Sequence, residues 1–145
     1  MFDPVSDYAN AVMTGGVVTN ERVRMACSRH LADLEDPELV FDREVLERLR
    51  DFVAHLKVSD GHHLHGEDFC LLPFQWFIWG SILAWRYKQS SGIRFKSAWV
   101  EMGRGGGKST SAALIELFVA SESPGAEIMC LANKADQARL AFNAA

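Results

Sequence analysis

No stretch of this sequence approaches the ~20 consecutive apolar residues that a membrane-spanning helix requires, so a transmembrane helix is not expected. The start, Met1-Phe2-Asp3, is acidic where a secretory signal is basic, and predicts none. Cysteine is scarce. Cys27, Cys70 and Cys130 are odd in number, widely spaced and set among apolar neighbours, which predicts reduced, buried thiols in a cytoplasmic protein rather than a disulfide framework. Positive charge is not in excess either: 15 Lys and Arg against 19 Asp and Glu leave a net charge of -4, which argues against a protein whose whole surface binds nucleic acid. Internal repeats and low-complexity segments are also lacking. What remains, 48% hydrophobic and 23% charged residues, suits an ordinary globular domain.

Charge is unevenly spread. Up to Gly66 there are 12 acids and 7 Lys or Arg; from Glu67 onward there are 7 acids and 8 Lys or Arg, so a site for anions is sought in the second part. The first part reads as helical, and the division predicts an N-terminal helical segment, residues 1–66, ahead of a second domain, residues 67–145. Residues 7–13 form a short helix stopped by Gly15-Gly16. Asn20 caps a second, with Val23, Ala26, Cys27, His30, Leu31 and Leu34 on one stripe. After Pro37, Asp42 caps a third, in which Val45, Leu46, Leu49, Phe52, Val53 and Leu56 repeat at helical spacing. The second and third helices are expected to pack on each other. Residues 59–68 form a polar break; its His62, His63 and His65, with Cys70, match no common zinc spacing and read as loop. Pro73 opens an aromatic helix over residues 73–87.

The pattern then changes. Residues 95–102 read as a strand, followed by the run Gly103-Arg104-Gly105-Gly106-Gly107-Lys108-Ser109 and a nearly all-apolar helix over residues 110–120. Ser123-Pro124-Gly125 is a turn, residues 126–132 a second strand, and Lys134 onward a helix. That order predicts an α/β fold with a partial parallel sheet of about two strands, of the kind found in phosphate-loop NTPases.

A glycine run between strand and helix is the context of a phosphate loop. Residues without a β-carbon let successive amides turn inward around an anion, and the helix start adds N–H donors and the positive end of its dipole. Lys108 is placed to reach the β and γ phosphates, and the Ser109 hydroxyl to ligate Mg²⁺. Arg104, inside the loop, offers a planar cation for charge that builds up during phosphoryl transfer. The loop departs from GxxxxGK[ST] in one respect: Met102 stands where the first glycine is usual, and Gly103 comes one position later.

The segment from Met102 to Ser109, lacking the first glycine and carrying an internal arginine, resembles the variant Walker A loop of tailed-phage terminase large subunits, the ATP-driven motors that package DNA. Leu71-Leu72-Pro73-Phe74-Gln75-Trp76 resembles that family's adenine-recognition segment. Residues 131–139 resemble the strand-to-helix segment after the first crossover, and Asp3-Pro4-Val5-Ser6-Asp7-Tyr8-Ala9 the start of such proteins. The resemblance implies ATP bound by Gly103, Arg104, Gly105, Gly106, Gly107, Lys108, Ser109 and Thr110. It implies catalytic roles for Lys108 and Arg104, Mg²⁺ held through Ser109, and adenine read by the Gln75 amide, which can donate and accept at once. It also implies phage double-stranded DNA, a portal and a small terminase subunit as partners, in a bacterial cytoplasm. The family's Walker B aspartate and catalytic glutamate have no counterpart here, since no apolar strand ending in Asp-Glu follows the loop. The expectation is therefore an N-terminal piece of a terminase, truncated or split, with a second chain supplying the rest and little activity alone. The alternatives are an unrelated small phosphate-loop NTPase or kinase, and a non-enzymatic remnant that binds nucleotide or a partner chain.

Overall fold

The computed structural model describes residues 2–57, 66–129 and 131. Their elements run α1 (Pro4–Met13), α2 (Glu21–Asp33), β1 (Leu39–Phe41), α3 (Arg43–Val53), α4 (Pro73–Ala84), β2 (Trp85–Tyr87) and α5 (Lys108–Glu122). Contacts divide the chain into two compact units, Met1–Arg50 with Leu71–Val100, and Asp51–Cys70 with Glu101–Ala145.

The first unit is organised by α1. Asp3 caps it, its Oδ1 accepting from the Ser6 amide at 3.0 Å, and Pro4 occupies the first turn, so the helix begins ahead of the predicted residue 7. It ends where expected, at the Gly15-Gly16 pair. The caps Asn20 and Asp42 also hold: Asn20 Oδ1 accepts from the Val23 amide at 3.0 Å, and Asp42 Oδ1 from the Glu44 amide at 3.1 Å. The predicted pairing of the second and third helices does not. α2 and α4 both pack on α1. The reason is β1, unforeseen between Pro37 and Asp42, which draws the chain into a ribbon before α3 begins. From α3 the predicted stripe residues Val45, Leu46 and Leu49 are buried.

α4 meets α1 at a glycine. A Cβ on Gly80 would lie 2.4 Å from Val5 Cγ2 and 2.9 Å from Leu46 Cδ2, distances that no carbon pair tolerates. Glycine in a helix interior costs about 1 kcal/mol relative to alanine, and here close approach to Val5 and Leu46 offsets that cost.

The aromatic helix was expected to run to Tyr87 but stops at Ala84. Trp85–Tyr87 instead pairs antiparallel with Leu39–Phe41, in the register Leu39 to Tyr87, Val40 to Arg86 and Phe41 to Trp85. This is the one sheet among the described residues, and it corrects the predicted parallel sheet. Residues 95–102 and 126–129 are irregular. An apolar stretch such as Ala98-Trp99-Val100 suits a strand, but a strand exists only if a neighbour takes its hydrogen bonds. Accordingly Trp99 is 92% exposed and Met129 82%. The predicted C-terminal helix, most of residues 131–139, Cys130, and His62, His63 and His65 lie outside the described residues.

A buried polar chain ties the first unit together. Trp85 Nε1 donates to His30 Nδ1 at 3.3 Å, and Ser6 Oγ lies 3.0 Å from His30 Nε2 and 2.9 Å from Asp3 Oδ2. An indole nitrogen only donates, so Nδ1 is the bare nitrogen and Nε2 carries the proton. His30 therefore donates to Ser6, and Ser6 donates to Asp3, whose Oδ2 also accepts from Arg43 Nε at 2.7 Å. That polarity is the reverse of a nucleophilic serine, so these residues form a structural network. Beyond it, Arg94 pairs with Asp33 (Nη2 to Oδ1, 3.0 Å) and lies over the Trp85 and Phe95 rings.

In the second unit α5 buries Ala113, Leu114, Ile115 and Phe118, and the Phe118 ring meets that of Phe52 at 5.6 Å. An ion pair joins Lys57 to Asp68, which also form an antiparallel bridge. Ser123-Pro124-Gly125 turns as predicted, closed by the Ala126 amide on Ser123 O at 3.0 Å. The expectation of buried thiols holds for Cys27 and fails for Cys70, which is exposed although Phe69 and Leu71 flank it. Among the described residues no helix is long and apolar enough to cross a membrane.

Two outcomes are expected. Gly80→Ala should lower the unfolding free energy by about 2 kcal/mol despite its better helix propensity, because Val5 is fully buried and cannot retreat. A denaturant midpoint equal to or above wild type would contradict the close contact. Burial pulls the His30 imidazole down to about 4, against the opposing carboxylates Asp3 and Asp33 and with help from Arg43 and Arg29. The unfolded chain thus takes up a proton near pH 6.5 that the folded chain refuses until about pH 4. Stability should be full above pH 6.5 and fall by about 2–3 kcal/mol towards pH 4. His30→Gln should remove that part of the slope in pH-dependent unfolding, and an unchanged slope refutes the assignment.

Candidate functional site

The predicted loop is a bend stabilised at both ends. At its front the Gly106 amide donates to Gly103 O at 3.2 Å, closing a four-residue turn with Arg104 and Gly105 at its corners. Gly105 has φ +83°, the left-handed value that the third residue of a type II turn requires. At its back Gly107 is also left-handed (φ 72°, ψ 21°) and caps α5. The helix starts at Lys108, earlier than the predicted residue 110, which places Lys108, Ser109 and Thr110 in its first turn.

The first amides of a helix have no acceptor within it. In α1 and α2 a side chain supplies one, from Asp3 and Asn20. α5 has no side-chain cap. Ser111 is the first residue of this turn whose amide bonds back, to Gly107 O at 2.9 Å, so the amides of Lys108, Ser109 and Thr110 lie ahead of the ladder. These three residues belong to the lining of a cavity of about 480 Å³ formed by residues 102–110.

The electrostatics agree. Arg104 and Lys108 both line the cavity and are exposed, and neither makes an ion pair among the described residues. Arg43, Arg94 and Lys57, by contrast, each hold a carboxylate. Uncommitted cations, backbone donors and the positive end of a helix dipole therefore converge on one concavity, and an anion is what they suit. The Ser109 hydroxyl is likewise uncommitted among the described residues, an oxygen of the kind that a hard divalent cation accepts.

Met102, which replaces the usual first glycine, packs beneath the loop. A Cβ on Gly106 would lie 3.5 Å from Met102 Cβ, 3.6 Å from its Sδ and 3.3 Å from Gly103 O. Its role as a wall was not legible in the motif, where it registered only as a departure. Ser111 was missed too, because it falls on the apolar face of α5.

The structure brings residues 103–110 together. Gln75 lies in the first unit and the loop in the second. Gln75 is 5% exposed, and its Oε1 accepts from the Leu72 amide at 2.9 Å, so one acceptor position of the amide serves the start of α4. Its neighbour Trp76 packs edge-on against Phe2, with ring centroids 5.2 Å apart.

The loop's shape makes a paired prediction. A Cβ at Gly103 or at Gly105 meets nothing within 4 Å, so the two positions differ only in backbone conformation. Gly105→Ala should cost about 1 kcal/mol in urea unfolding and Gly103→Ala should cost nothing measurable. Equal effects would mean that the left-handed turn is absent.

A family model described as terminase large subunit, ATPase domain, matches residues 73–145, half of the chain and the whole of the loop. No curated protein and no solved structure matches. On that match, the chain belongs to the family of terminase large subunit ATPase domains.

Proposed function

We propose that this chain is the nucleotide-binding portion of a motor that hydrolyses ATP to drive phage DNA into a procapsid. The observation that carries this reading is the cavity of residues 102–110, where Arg104 and Lys108 stand unpaired among the described residues at the start of α5, which has no side-chain cap. The family match supports the ATPase class.

Each residue then has a task. The amides of Lys108, Ser109 and Thr110 receive the β and γ phosphate oxygens, and the helix dipole adds to their pull. The Lys108 ammonium bridges the same phosphates as a point charge. The Arg104 guanidinium, broader and delocalised, neutralises charge that grows on the transferred phosphoryl group. Ser109 would hold Mg²⁺ through its hydroxyl; when bound, the ion neutralises the phosphate oxygens. Gln75 is assigned the adenine edge on the resemblance of Leu71–Trp76 to the family's adenine-recognition segment alone. Phage DNA, a portal and a small terminase subunit are the partners of the complete motor.

Hydrolysis needs more than binding. Water must be oriented by a carboxylate, and this sequence contains no apolar strand ending in Asp-Glu after the loop. Binding and turnover should therefore separate in the 145-residue chain. A fluorescent ATP analogue with Mg²⁺ should bind wild type at least tenfold more tightly than Lys108→Ala, while phosphate release stays at background. Equal binding by the two proteins overturns the loop assignment, and steady turnover abolished by Lys108→Ala overturns the claim of inactivity.

A further inference from the structure

Ser111 is the polar exception on the buried face of α5. It is fully buried beside Ala113, Leu114, Ile115 and Phe118. Burying a hydroxyl is costly unless it finds a partner, and here the partner is the loop itself. Ser111 Oγ donates to Gly107 O at 2.8 Å, with Lys108 O also within reach at 3.3 Å. The Ser111 amide donates to the same Gly107 oxygen at 2.9 Å. One residue thus holds the Gly107 carbonyl twice.

That carbonyl belongs to the peptide plane whose other end is the Lys108 amide. In a trans peptide the C=O and N–H point in opposite directions, so a carbonyl turned down into the helix turns the next amide out of its end. Gly107 has no Cβ to resist rotation, and α5 has no side-chain cap to fix its first turn. The two bonds from Ser111 are what hold the plane.

We infer that Ser111 is a positioning residue for nucleotide binding, its hydroxyl holding the Gly107 carbonyl so that the Lys108 amide stays turned towards the cavity. The inference rests on the phosphate-binding reading of the loop. Ser111 itself is buried and touches no ligand; it acts through Gly107.

The test compares Ser111→Ala, Ser111→Thr and Lys108→Ala with wild type by titrating the full chain with a fluorescent ATP analogue and Mg²⁺. The Lys108 amide is followed alongside by NMR hydrogen exchange. Ser111→Ala removes one oxygen and should leave the helical circular dichroism unchanged while weakening binding about five- to tenfold, the effect of one net hydrogen bond. In the same variant the nucleotide-induced protection of the Lys108 amide should fall. Ser111→Thr, which keeps the hydroxyl, should bind within twofold of wild type. Binding by Ser111→Ala within twofold of wild type overturns the inference, and so does a threonine variant as weak as the alanine one. If Lys108→Ala weakens binding but Ser111→Ala does not, only this inference fails; if Lys108→Ala binds like wild type, the phosphate-binding reading beneath it fails.

Discussion

A helix that begins on glycine leaves its first amides to whatever lies in front of it. That constraint governs the second unit. α5 has no Asp, Asn, Ser or Thr ahead of Lys108 to close its end, and the chain before it curls into a turn instead of capping it. Everything nearby is consistent with an end left open for an anion: two left-handed glycines, a methionine wall beneath Gly106, and cationic side chains without carboxylate partners among the described residues. The apolar face of the helix, seated on Phe52 through Phe118, keeps that end in place.

The first unit solves the same problem in the opposite way. The starts of α1, α2 and α3 are closed by Asp3, Asn20 and Asp42, and one chain of polar groups runs partnered from Trp85 through His30 and Ser6 to Asp3. A network with every member partnered rigidifies the elements that it joins, here α1, α2 and β2. The ion pair of Arg94 with Asp33, covered by Trp85 and Phe95, fixes the chain that leaves β2.

Much of this was legible in the sequence because its cause is local. Asn20, Asp42 and Pro73 mark helix starts by their own chemistry, and the glycine run ahead of Lys108 marks the loop. The β1–β2 ribbon was not legible: each strand has three residues, and the partners Leu39–Phe41 and Trp85–Tyr87 lie on either side of α3 and α4. A helical spacing that reaches Trp85 carries no sign that Phe41 will take it. The converse error occurred at residues 95–102, where the apolar stretch Ala98-Trp99-Val100 had no described neighbour to pair with. Within the site, the glycines and Lys108 were found by motif, whereas Ser111 was hidden because a serine within an apolar run reveals its bond to Gly107 only in three dimensions.

One property of the cavity reaches beyond equilibrium. Its walls come from nine consecutive residues, 102–110, so no contact distant in sequence has to form before it exists. Closing so short a segment costs little chain entropy and takes on the order of 10–100 ns, whereas sheet pairing across intervening helices must wait for slower, long-range encounters. Once the first turns of α5 are wound, the cavity needs no contact between distant parts of the chain to take shape.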